Sequence, residues 1–167
     1  MKLMDTSSLI LFIDFIPEYK FIIKLSESGE VMIITPEVEI EYCEKIEYRI
    51  DSYYNLNNLL TSQIIIKERC KINDIFKKRY FNLGSGEKSI MSLALEYKKQ
   101  NKEYYCVLDD KNARNVAKNL GLNVKGSIGL ILLLKEKGII ENPKELYNKI
   151  IKSPFRISDD ILEVLNA

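Results

Sequence analysis

The sequence predicts an α/β protein, a three-layer α/β/α domain built on a central, mainly parallel sheet. Three observations point to it. Short runs rich in β-branched and apolar residues alternate with longer amphipathic stretches, and strand–helix–strand repetition at these lengths means parallel pairing through right-handed crossovers. Two of the runs, Val31–Ile34 and Tyr104–Leu108, are unbroken rather than alternating, the mark of strands buried on both faces. The chain has 167 residues, 46% hydrophobic and 29% charged, which fits a single domain over residues 1–167 with a core of its own.

The elements follow in order. Lys2–Met4 is a short apolar opening that stops at Asp5. Thr6 or Ser7 caps a helix running toward Phe15. Pro17 suits the first turn of a helix over Glu18–Ser26, which Gly29 helps to end. After the Val31–Ile34 strand, Thr35 is an N-cap, Pro36 the first helical residue and Glu37 a first-turn acid; this helix carries Glu41 and runs to about Ile50. Asp51–Asn58 is polar and tyrosine-rich and reads as a helix end or loop. Ser62–Lys67 reads as a strand and Ile72–Tyr80 as a basic helix. Leu83–Gly86 is a loop, and Glu87 to about Lys99 has helical periodicity through Ile90, Leu93, Ala94 and Tyr97. The Tyr104–Leu108 strand ends in Asp109-Asp110. Then come a helix Lys111–Leu120 closed by Gly121, a strand Leu122–Lys125, and a helix Ile128–Lys137 opened by Gly126 and ended by Gly138. Pro143–Ile151 and Ser158–Leu165 are two last helices that pack on the domain.

Composition excludes several functions. Lys and Arg number 25 against 24 Asp and Glu, a net charge of +1, so a polybasic coat for nucleic acid is absent and any such contact is local. There is no histidine, which removes Ser-His-Asp and Cys-His hydrolysis, His-paired ribonuclease chemistry and His-ligated metals. Cys43, Cys70 and Cys106 form no CxxC pair and read as buried thiols of a reducing compartment. Asp5 and Asp14 interrupt the apolar N-terminal stretch well short of a membrane span. The expectation is a cytoplasmic protein. LGSGEKS is not a phosphate loop, because Glu87 stands between Gly86 and Lys88 where its charge would repel a phosphate.

What remains is carboxylate chemistry. In parallel α/β folds the functional crevice lies beyond the carboxyl ends of the strands. Asp5 follows the first strand, Asp109 and Asp110 follow the Tyr104–Leu108 strand, Glu41 lies on the helix after Val31–Ile34, and Glu87 opens a helix. Glu41 rather than Glu39 belongs with them, since Val38, three residues earlier, shares its helix face. Clustered acids need a compensating cation, and hard oxygen ligands without nitrogen or sulfur select Mg²⁺ or Mn²⁺. Such ions assist phosphodiester hydrolysis.

These residues also carry a resemblance. MDTSSLI at Met4–Ile10, TPEVEIE at Thr35–Glu41, LGSGEKSIMSLALE at Leu83–Glu96 and VLDDKNARNVAKNLGLNVKGSIGLILLLKEKGII at Val107–Ile140 resemble, in this order, the PIN-domain family and its small prokaryotic members similar to VapC-type toxins. FRISDDILEVL at Phe155–Leu165 resembles their closing segment. The resemblance implies a Mg²⁺- or Mn²⁺-dependent endoribonuclease acting on RNA, with Asp5, Glu41, Glu87 and one of Asp109 and Asp110 as catalytic and metal-binding acids. Tyr42 is the alternative match at the Glu41 position. Ser7 matches a hydroxyl residue that orients the first acid or a water on the metal. A homodimer and a protein antitoxin are the implied partners, with Tyr53, Tyr54 and Leu56 as exposed apolar candidates for the contact. Lys88, Lys111 and Arg114 are candidates to meet phosphates. A PIN-like binding module without catalysis is the alternative.

Overall fold

The computed structural model describes residues 1–16, 20–140 and 143–152. Among these described residues the sheet has five strands, β1 (Lys2–Met4), β2 (Met32–Ile34), β3 (Ile65–Lys67), β4 (Tyr105–Val107) and β5 (Val124–Lys125), all parallel, in the order β3-β2-β1-β4-β5. Helices cover it to give the three-layer α/β/α architecture that the alternating pattern predicts. Two of the three inner strands, β2 and β4, are the ones with unbroken apolar runs. Leu3, Met4, Met32, Ile33, Ile34, Cys106 and Val107 are all buried, whereas Ile66 and Lys67 on the outer strand β3 are exposed.

The strand order fixes where a site can lie. The chain moves outward from β1 through β2 to β3, returns across β1 to β4, then moves outward again to β5. Successive crossovers therefore diverge between β1 and β4, and a crevice opens beyond the carboxyl ends of these two strands. Met4 pairs with Val107 there, and Asp5 N donates to Val107 O at 3.2 Å.

Several elements differ from expectation. The first helix, α1 (Thr6–Ile10), is capped by Asp5, whose Oδ1 accepts from Ser8 N at 2.8 Å; neither Thr6 nor Ser7 serves as the cap. It passes at Leu11 into a π-helical turn, Leu11–Phe15. Then come α2 (Lys20–Glu27), α3 (Pro36–Lys45), α4 (Ile50–Thr61), α5 (Asp74–Lys78), α6 (Ser85–Lys99), α7 (Lys111–Asn119), α8 (Ser127–Glu136) and α9 (Pro143–Ile151). Pro17 and Glu18, and the expected closing helix Ser158–Leu165 with the Phe155–Leu165 segment, lie outside the described residues.

The helix after β2 stops at Lys45 rather than near Ile50, because Glu47 and Tyr48 take left-handed backbone, with φ of 53° each, and end it without a glycine. Asp51–Asn58 is helix, not loop: α4 buries Ser52, Leu56 and Leu59 along one face. Leu56, expected at the surface, is 1% exposed and belongs to the core, while Tyr53 and Tyr54 are exposed. Helix α6 starts at Ser85, so Gly86 is inside its first turn rather than in the preceding loop. Among the described residues no helix is long and apolar enough to cross a membrane.

Candidate functional site

Asp5 sits at the switch point, where β1 ends and α1 begins. Its backbone is fixed by the sheet and its side chain by two amides: Ser8 N donates to Oδ1 at 2.8 Å, and Asp109 N reaches Oδ2 at 3.4 Å. The residue is 3% exposed. Burial, and next the neighbouring Asp109 charge, push its carboxyl up to about 7, and the hydrogen bonds from Ser8 and Asp109 only partly oppose them.

Glu41 reaches the same place from α3. Thr35 caps this helix and its hydroxyl also bonds the Ser89 hydroxyl, which ties α3 to α6. Three donors converge on the Glu41 carboxylate: Thr6 Oγ1 on Oε2 at 2.7 Å, and Ser85 Oγ and Gly86 N on Oε1 at 2.8 and 2.9 Å. The carboxylate thus lies at the N-terminus of α6, where free amides and the helix dipole favour a negative charge. Burial works against ionisation here, but the hydrogen bonds from Gly86, Thr6 and Ser85 outweigh it and hold the group below its ordinary value. Gly86 lets the carboxylate come this close: a Cβ there would lie 2.7 Å from Glu41 Oε2 and 3.1 Å from Thr6 Oγ1, so a larger residue would displace the Glu41 side chain.

Glu87 lies one residue further along α6. Its Oε2 accepts from Gly84 N at 3.0 Å and so closes the helix start. Burial raises its pKa, the Gly84 hydrogen bond lowers it, and the charges of Asp110 and Glu41 raise it again, for a net rise.

Asp5, Thr6, Ser7, Glu41, Glu44, Lys45, Gly84 and Glu87 line one cleft of about 380 Å³. The structure therefore brings Asp5, Ser7, Glu41 and Glu87 together. Ser7 lines the cleft, but the hydrogen bonds on the Asp5 carboxylate come from the amides of Ser8 and Asp109. Glu39 points away and pairs with Lys67 at 2.7 Å. Tyr42 is fully buried and donates to Asp14 Oδ2 at 3.0 Å on the π-helical turn, so it does not face the cleft.

Asp109 and Asp110 part company. Both Asp109 oxygens are taken by Ser127, Oδ1 by its amide at 2.7 Å and Oδ2 by its hydroxyl, so that this carboxylate caps α8. Asp110 is exposed, caps α7 through Ala113 N at 2.8 Å, and lies near enough to Glu87 to raise its pKa. Of the basic candidates, Lys88 donates to Phe81 O, and Arg114 to Leu108 O and Asp109 O, while Lys111 is exposed at the start of α7.

Sequence reasoning missed Thr6, Ser85, the Gly86 amide and Lys45. Only Lys45 carried a local signal, since it follows Glu41 by four residues and shares its helix face.

The donor set suits a hard divalent cation. Asp5, Glu87 and Asp110 offer oxygen only, and burial first, then neighbouring acids, raise the pKa of Asp5 and Glu87. Among the described residues no three acidic or thiol side chains form a ready-made cage.

No curated protein matches the chain. A family model described as a PIN domain matches it over residues 1–166. With that span and this strand order, the chain belongs to the DUF3368 family of PIN domains.

Proposed function

We propose that the protein is an endoribonuclease that hydrolyses RNA phosphodiester bonds with the help of Mg²⁺ or Mn²⁺, leaving a 5′-phosphate and a 3′-hydroxyl. PIN domains are nuclease-type folds. The observation that carries the reading is the meeting of Asp5, Glu41 and Glu87, from three distant segments, in one cleft at the topological switch point. A divalent cation held there by Asp5, Glu87 and Asp110 would supply Lewis acidity and neutralise charge at the phosphate.

The chain's own residues prepare that step. Glu41, held by Thr6, Ser85 and Gly86, stays ionised and keeps the start of α6 against α1. Asp5 holds a proton to near neutrality in the cation-free protein and gives it up as the site is loaded, so loading becomes easier as pH rises through about 7. Ser7 offers the cleft a hydroxyl. RNA as substrate, a protein antitoxin and a homodimer rest on the family resemblance. Tyr53 and Tyr54, 52% and 63% exposed, offer apolar surface for such a contact.

The test is cleavage of end-labelled single-stranded RNA with Mg²⁺, with Mn²⁺ and with EDTA. We expect cleavage only with the cations, and a loss of at least a hundredfold in Asp5→Asn. Tight RNA binding without cleavage under any cation would make the protein a binding module instead.

A further inference from the structure

We propose that Lys45 is the phosphate-binding residue of the cleft, seating a backbone phosphate of the RNA strand beside the acidic centre. The inference rests on the ribonuclease reading of the same cleft. Of the eight described residues that line it, Lys45 is the one that carries a positive charge, against four carboxyl groups, Asp5, Glu41, Glu44 and Glu87. It closes α3 one turn beyond Glu41, on the same helix face. Its side chain is exposed, and among the described residues no carboxylate lies within ion-pair distance of it. Its charge nonetheless reaches both acids: it adds a little to the lowering at Glu41 and opposes the rise at Glu87. The ammonium therefore sits near the acids without being consumed by any of them.

An anionic strand approaching this cleft meets repulsion from every other charged side chain that lines it. A single flexible ammonium at the rim gives one phosphate a partner while the rest of the strand passes the acids. The two basic residues suggested by sequence that have partners are tied to main-chain carbonyls, Lys88 to Phe81 and Arg114 to Leu108 and Asp109, and so serve the fold.

The test compares wild type with Lys45→Met, which keeps an unbranched apolar stem, and with Lys45→Arg, which keeps the charge. Cleavage of a short single-stranded RNA is followed with Mg²⁺ over a range of salt. Expected for Lys45→Met are a KM raised about tenfold, kcat within about twofold, and a salt dependence of kcat/KM shallower by about 0.7 in log–log slope, the share of one phosphate contact on a single strand. Lys45→Arg should restore most of the KM. An unchanged KM and slope with a lowered melting temperature would reduce Lys45 to a helix-end charge and overturn the inference, as would a loss confined to kcat. If the wild type cleaves no RNA, the ribonuclease reading fails by itself. Fluorescence anisotropy of the same RNA in EDTA then still decides on Lys45: a shallower salt slope in Lys45→Met supports it, and an unchanged affinity and slope overturn it.

Discussion

A carboxyl group with its pKa near 7 makes Asp5 a source of stability in acid, the reverse of the usual case. In the folded protein it keeps its proton above the pH at which an unfolded aspartate, near 3.8, has lost it. Between about 4 and 7 the folded state therefore binds more protons than the unfolded one, and stability falls as pH rises through that window. At about 1.4 kcal/mol per pKa unit, a shift of this size corresponds to a fall of about 4 kcal/mol, shared with the neighbouring Asp109, for the cation-free protein. Glu41 has the opposite sign. Its folded pKa is lowered, so its contribution is present above the unfolded value and is lost as pH falls through the folded one. Urea denaturation in EDTA at pH 5 and pH 8 should show wild type weaker at pH 8. Asp5→Asn should remove most of that difference, and an unaltered pH slope in this variant would show that another group titrates.

At the scale of elements, the two acids after β4 divide their labour by the helix each one caps. Asp109 holds the start of α8 through Ser127, a contact across 18 residues of chain. Asp110 caps its own helix, α7. Asp109→Ala should lose about 1–3 kcal/mol of stability, because it leaves the Ser127 amide and hydroxyl at the start of α8 without their acceptor. Asp110→Asn should stay within about 0.5 kcal/mol of wild type, since asparagine caps comparably, yet cut cleavage at least tenfold. A fully active Asp110→Asn would leave the rim of the cleft without a role for this acid.

The legibility of these elements follows the reach of their causes. Strands β1, β2 and β4 and the caps Thr35, Gly121 and Gly138 are local signals, readable from a few residues. Helix α4 hides because its inward face includes Ser52, whose hydroxyl bonds Asp14, and because no side chain caps it at Arg49. The end of α3 hides because Glu47 and Tyr48 adopt the left-handed backbone that glycine normally marks. The acids were nameable one at a time from their places after strands and at helix starts. The bonds that orient them were not, since Thr6, Ser85 and Gly86 meet Glu41 across 35 to 45 residues.

For the molecule as a whole, the cleft is a concentration of unbalanced charge that folding must tolerate and a bound cation relieves. Ligands that bind only the folded state stabilise it, by about 2.7 kcal/mol at a hundred times the dissociation constant. For a chain of this size each kcal/mol raises the melting temperature by about 2–4 °C. Saturating Mg²⁺ should therefore lift wild type by roughly 5–10 °C in thermal melts. NaCl matched in ionic strength should not reproduce that rise, and it should shrink sharply in Asp5→Asn. An equal rise in both proteins would place the stabilising ion elsewhere.

The position of β1 also orders events during synthesis. It is the first strand to be made and the middle strand of the finished sheet. β2 can cover one flank early, but the other stays open until residues 105–107 arrive, about a hundred residues later. Over that interval Leu3 and Met4 present an unpaired edge, the kind of surface on which nascent chains associate wrongly. Asp5, at the end of that edge, is meanwhile an ordinary hydrated carboxylate, ionised at neutral pH. Docking of β4 buries it and brings Asp109 beside it. Closure of the sheet between about pH 4 and 7 thus draws a proton from solvent, which couples completion of the core to the chemistry of the cleft.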